Sequence, residues 1–182
     1  MPKRSLASWL RTLEHQHPTE IDLGTERVAE VWARMQRLLH GSVGTHKNSD
    51  KTLTISVAGT NGKGSCVASM EAILLAHGYS VGAFTSPHFL AYNERVRIAG
   101  QPVCDEVLID AFEQISLSSG SISLTYFEYG TLAALWIFAR AQLHVTLLEV
   151  GLGGRLDAVN IVDADVAVVT NIALDHQEWL GD

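Results

Sequence analysis

Two kinds of hydrophobic pattern divide the chain. Residues 5–16 carry Leu6, Trp9, Leu10 and Leu13 at helical spacing, and residues 25–40 repeat that spacing with Val28, Val31, Trp32, Met35 and Leu38. A loop containing Pro18 and Gly24 separates these two helices, and a polar, glycine-containing stretch at 41–51 reads as another loop. Beyond it the pattern changes to continuous apolar runs at 53–58, 81–84, 145–150 and 166–170. Helical stretches lie between them. One runs to about Ala76 and is stopped by Gly78, one covers 105–116, and an unusually apolar one covers 126–141. Unalternated strands separated by helices predict an α/β fold, with a mostly parallel sheet flanked by helices and right-handed crossovers.

The 182 residues suit one ordinary domain, and a hydrophobic content of 47% against 18% charged residues allows a buried core. A net charge of −7 without a long basic run argues against a nucleic-acid partner, because phosphate contacts need clustered Lys and Arg. An anionic small substrate stays open, since the local field of a cleft matters more than the total charge. Cys66 and Cys104 read as two reduced thiols. The first ten residues lack the apolar centre of a secretory signal, and no stretch approaches the ~18 apolar residues that span a bilayer. The expectation is a cytoplasmic protein with no membrane partner. Asp182 falls just after a motif and before any closing helix, so the α/β domain is expected to be truncated.

The run Gly59-Thr60-Asn61-Gly62-Lys63-Gly64-Ser65 lies between a predicted strand and a predicted helix. Glycines let backbone N–H groups converge on an anion, and the helix start adds its unpaired donors and positive dipole end. Lys63 supplies a flexible charge for β- and γ-phosphates, and Ser65 a hydroxyl for a phosphate oxygen or Mg2+. The usual phosphate loop places Ser or Thr directly after the Lys; here Gly64 intervenes.

That run resembles the phosphate loop of the Mur-ligase-like ATP-dependent amide ligases, and its Gly after Lys resembles the dihydrofolate/folylpolyglutamate synthase branch. Four more segments carry the resemblance: Thr85-Ser86-Pro87-His88, Leu124-Thr125-Tyr126-Phe127-Glu128, the stretch from Glu149-Val150-Gly151-Leu152-Gly153-Gly154 through Arg155-Leu156-Asp157-Ala158, and Asn171-Ile172-Ala173-Leu174-Asp175-His176. It covers the chain from about Leu6 to its end.

The resemblance implies the following. Asn61, Gly62, Lys63, Gly64 and Ser65 bind the phosphates of ATP. Ser86, Glu149 and His176 ligate magnesium, with two ions expected and room for a monovalent cation. Leu124, Thr125, Tyr126 and Phe127, together with Gly153, Gly154 and Arg155, line a pterin-containing substrate site to which Ile21, Asp22 and Leu23 add a loop. Lys63, Glu149 and His176 form the catalytic set. The implied reaction adds L-glutamate to dihydropteroate or a reduced folate through an acyl phosphate, in a monomeric enzyme. Residues 1–50 then form a helical segment that contributes to the substrate site and residues 51–182 an incomplete ATP-binding domain, the C-terminal ligase domain being absent. A cell-wall amino-acid ligase, and a nucleotide-binding fragment without turnover, are the alternative functions.

Several of these residues have a second reading. Glu149 at a strand end and Ser86 before a proline can be a solvated terminus and a plain turn. On hard–soft grounds His176 is an unusual magnesium ligand. Thr125 and Glu128 form the Thr-x-x-Glu pattern of a capping box, so Glu128 either holds a helix end or meets substrate. Tyr126 and Phe127 either stack on a pterin or fill the core. The Gly151-Leu152-Gly153-Gly154 stretch has the wrong spacing for a dinucleotide fingerprint and reads as a loop whose backbone approaches a ligand. Arg95 and Arg97 alternate along a strand or ribbon, facing either a substrate carboxylate or solvent. His15 and His17 lack further ligands nearby for a metal site.

Overall fold

The computed structural model describes residues 4–42 and 52–180. Helix α1 (Leu6–Leu13) and helix α2 (Glu26–Ser42) come first. Most of the loop expected at 41–51 lies outside the described residues, and α2 runs through Ser42. Strand β1 (Leu53–Ala58) leads into α3 (Lys63–Ala76) and β2 (Val81–Phe84). A 3-10 turn (Tyr92–Arg95) and two short strands, β3 (Val96–Ile98) and β4 (Gln101–Pro102), follow. Then come α4 (Asp105–Ser119), α5 (Tyr126–Ala139), β5 (Val145–Glu149), β6 (Val166–Val169) and the short α6 (Gln177–Leu180).

The six strands form one sheet in the order β4-β3-β2-β5-β1-β6. The four strands expected from sequence are its parallel part, β2, β5, β1 and β6. The two additional strands, β3 and β4, run antiparallel at one edge.

Strands β1, β2 and β5 bury both faces, which explains why their sequences do not alternate between apolar and polar. Ile55, Val57, Val81, Ala83, Val145 and Leu147 pack with Val67 of α3 on one face. Phe84, Val96 and Leu148 join α1, α2, α4 and α5 in a larger core on the other. That core holds the two N-terminal helices in place through Trp9, Leu13, Val28, Val31 and Met35. Helix α5 lies inside it and is apolar on all sides because eleven of its residues are buried.

Candidate active site

The carboxyl ends of β1, β2, β5 and β6 share one edge, as parallel pairing requires. In an open α/β sheet this is the edge where ligands gather. β1 runs into the glycine-rich loop, where Gly59 has φ +132 and Gly62 φ +83, conformations that a Cβ would strain. A Cβ on Gly59 would also stand 2.1 Å from Thr170 Oγ1. This closeness lets the segment after β6 stitch the loop. Asn171 O accepts from Thr60 N at 2.9 Å, Asn171 Oδ1 accepts from Asn61 N at 2.9 Å, and Thr170 Oγ1 donates to Asn61 O at 2.7 Å. Lys63 Nζ turns onto its own loop, donating to Gly59 O at 2.8 Å and Thr60 O at 3.3 Å.

Glu149 ends β5 beside this loop and is buried. Ser86 N–H donates to its Oε2 at 3.0 Å. Burial pushes its carboxyl above the usual range, opposed by the Ser86 N–H, the Lys63 ammonium, the Arg97 guanidinium and the Gly64 N–H. Gly64 lies close to this carboxylate, since a Cβ on it would stand in ordinary contact, 3.5 Å from Glu149 Oε1. The reading of Glu149 as a solvated strand end therefore fails, because its carboxylate is buried against the loop. Among the described residues no three His, Cys, Asp or Glu side chains cluster as a complete metal cage.

A cavity of about 770 Å³ opens from this edge. Its wall takes Glu20, Ile21, Asp22, Leu23 and Gly24 from the α1–α2 connection, and Ser86, Pro87 and Arg95 from the β2–β3 connection. Thr125, Tyr126, Phe127 and Glu128 come from the start of α5, with Gly151, Leu152, Leu156, Asp157 and His176. A second cavity of about 300 Å³ lies over Gly59, Thr60 and Lys63, reaches Gly153, Gly154, Asn171 and Asp175, and also touches Gly151 and His176.

The other expected residues divide between these walls and elsewhere. Asn61, Gly62 and Ser65 are exposed around the loop. The Leu124 side chain lies in the core, only 1% exposed, so the substrate wall begins at Thr125. Arg155 is exposed and lines neither cavity. His176 has a left-handed backbone, φ +50, and sits near Asp175 at 3.7 Å. His17 bonds Ser123 Oγ and Asp22, with no metal cluster around it.

Other open readings are resolved by contacts. Thr125 and Glu128 form the capping box: Thr125 N donates to Glu128 Oε2 at 2.8 Å and Glu128 N to Thr125 Oγ1 at 3.2 Å. The remaining Glu128 oxygen pairs with Arg27 at 2.9 Å, so its carboxylate is committed to structure while bordering the cavity. Tyr126 and Phe127 are each half-buried, packed on Tyr92 and Phe84 respectively, and each also lines the cavity. The close approach at Gly151 is to protein, because a Cβ there would lie 2.5 Å from the Phe127 ring.

Neither arginine on the ribbon faces solvent freely. Arg95 is 9% exposed, stacks over Tyr92 and Tyr126, and donates to His88 Nδ1 at 2.9 Å. Burial, and then this guanidinium, hold the His88 pKa below its ordinary value. Arg97 pairs with Glu71 at 2.8 Å.

Asp157 was quoted within a motif without a role, yet it is a buried carboxylate on the cavity wall. Its oxygens accept from Leu152 N at 2.9 Å and Val159 N at 3.0 Å. Burial pushes it up to about 6 despite those N–H groups. Its position inside the most recognisable motif of the chain was the available signal. Asn171 also stood inside such a motif, whereas Arg27 had no signal, since its partner Glu128 lies 101 positions later.

No family model matches the chain. It is 56% identical over 176 residues to the dihydrofolate synthase/folylpolyglutamate synthase of Escherichia coli K12, covering 97% of this chain and 39% of that protein. It is 49% identical to the same-named protein of Haemophilus influenzae, covering 97% and 38%. Its fold matches E. coli FolC in complex with DHPP and ADP at a TM-score of 0.90 and 53% identity, covering 100% of this chain and 42% of that one. A Yersinia pestis bifunctional folylpolyglutamate synthase/dihydrofolate synthase complexed with AMPPNP and Mn matches at 0.85 and 51%, with coverage of 100% and 42%. The chain thus spans about two-fifths of the length of its curated relatives. With this identity carried across nearly every residue and the same sheet beneath it, the chain belongs to the dihydrofolate synthase/folylpolyglutamate synthase family.

Proposed function

We propose that this chain is the nucleotide- and pterin-binding part of an ATP-dependent ligase that adds L-glutamate to dihydropteroate or to a folate. The observation that carries the reading is the meeting of two cavities at Gly151 and His176, one over Lys63 and one walled by Tyr126, Phe127 and Asp157. A triphosphate in the first and a pterin in the second bring a γ-phosphate towards the substrate carboxylate. The ligands named for the related structures, ADP, DHPP and AMPPNP with Mn, are of these two classes.

Residues 61–65 cradle the phosphates with the N–H groups left at the start of α3, and Lys63 exchanges its two loop carbonyls for phosphate oxygens. The donor set fits a hard divalent ion. Glu149 is a buried carboxylate close to Gly64 of the loop, with Ser86 beside it. One or two carboxylates plus phosphate oxygens and water are the usual shell of Mg2+, so a complete protein cage is not required. Such an ion would neutralise charge developing on the transferred phosphoryl group. His176, where the cavities meet, is placed for a second ion, and a monovalent cation is part of the same proposal.

The substrate carboxylate attacks the γ-phosphorus in line, giving an acyl phosphate and ADP. The glutamate amine then attacks that carbonyl, and inorganic phosphate leaves. Activation is needed because amide formation from a carboxylate is uphill in water, and the protein's share is positioning and charge stabilisation. Residues 1–50 contribute to the substrate site through the connection at 20–24, residues 51–182 carry the nucleotide, and a ligase domain of the kind that completes the longer relatives supplies the glutamate side. A monomer in the cytoplasm is the expected state.

The test uses the complete gene product with ATP, dihydropteroate and glutamate, following phosphate release and the glutamylated product. Lys63→Ala is expected to reduce turnover by about 10³-fold or more, since it removes the charge that meets the transferring phosphoryl group. Turnover retained within a few-fold would refute the assignment.

A further inference from the structure

Arg97 on β3 joins three segments that meet around Glu149. Its Nε and Nη2 donate to Glu71 Oε2 at 3.0 and 2.8 Å. Its Nη1 donates to Thr85 Oγ1 at 3.0 Å and to Glu94 O at 3.1 Å. Glu71 lies on α3, roughly two helical turns beyond Lys63. Thr85 directly precedes Ser86, whose N–H holds Glu149. One planar guanidinium therefore spans the helix of the nucleotide loop and the turn beside the carboxylate, a geometry a lysine cannot reproduce.

Stability alone is a poor explanation for this pair. The Arg97 and Glu71 side chains are 19% and 8% exposed, and Glu71 Oε1 is buried without a hydrogen-bond partner among the described residues. Buried pairs of this kind often gain no more than apolar residues of similar volume would, and an unpaired carboxylate oxygen is costly. What the pair does supply is a fixed separation between two elements.

We propose that Arg97, with Glu71, is a positioning residue that sets the gap between the nucleotide loop and the Ser86 turn, and so the divalent-cation affinity of the Glu149 site. This rests on the proposed nucleotide reading.

The test measures the dissociation constant of AMPPNP by titration calorimetry, with and without Mg2+, on the complete gene product. Wild type is expected to bind more tightly with Mg2+. Arg97→Met keeps the apolar stem and removes the fork. It is expected to cut that enhancement by about tenfold, as loss of a group supporting a metal ligand typically does, with metal-free affinity little changed. Arg97→Lys is expected to fail as a rescue, because one ammonium cannot serve Glu71 and Thr85 together. If Arg97→Met does not fold, Glu71→Gln, which keeps shape and loses charge, carries the same expectation. Lower thermal stability with the full Mg2+ enhancement retained means a purely structural pair and overturns the proposal. So does a wild type whose binding ignores Mg2+. A wild type that binds Mg·AMPPNP but forms no glutamyl amide defeats the ligase reading and leaves the positioning role standing.

Discussion

Asp157 shows how a single carboxylate registers its surroundings. Its pKa of about 6 lies above the ordinary 3.8 because burial penalises the charged form more than its N–H donors favour it. Between those two values the folded chain holds a proton that the unfolded chain has lost. This group's contribution to stability therefore falls as pH rises through that window, is at its lowest above about 6, and is restored below 3.8. Asp157→Asn, which cannot ionise, is expected to flatten the dependence of the urea midpoint on pH across that window. An unchanged slope would mean that another group sets it. Residues such as this were only partly legible in the sequence. The loop lysine announces itself through its neighbours, whereas the burial that perturbs Asp157 exists only in the folded chain.

At the scale of elements, local chemistry was readable and long-range pairing was not. Thr125-x-x-Glu128 is a four-residue pattern, and it caps α5 as that pattern implies. Thr125→Ala is expected to cost about 1 kcal/mol in chemical denaturation, the usual price of a lost cap. It should also weaken pterin binding, since α5 begins at the cavity wall. The ribbon carrying Arg97 is β3, three residues long, whereas β4 left no signal because two residues are too few for a period to be recognised. The same brevity made Arg97 look like a residue on a solvated face. Its partner Glu71 lies 26 positions earlier, and that of Arg27 lies 101 later, distances over which no periodicity carries information.

For the molecule as a whole, the two faces of the sheet are covered unequally. Four helices bury one face, while α3 serves the other. At the end of the sheet Val166 and Val169 of β6 are exposed, and Ile172 and Leu174 beyond it are 87% and 76% exposed. Among the described residues no strand pairs with the outer edge of β6. Open apolar strand edges recruit further chains. The 182 residues expressed alone are therefore expected to associate as concentration rises. Val169→Lys should suppress the light scattering, and scattering unaffected by that charge would place the association elsewhere. The general shape, helices around a parallel sheet with a phosphate loop after its first strand, was legible because strand runs and helix periods are local. The meeting of the two cavities was not, since it depends on six separated segments reaching one sheet edge. One further consequence follows from Lys63 lying on the carbonyls of Gly59 and Thr60. Its ammonium braces the turn from within, so under the proposed reading nucleotide arrival swaps one set of oxygens for another.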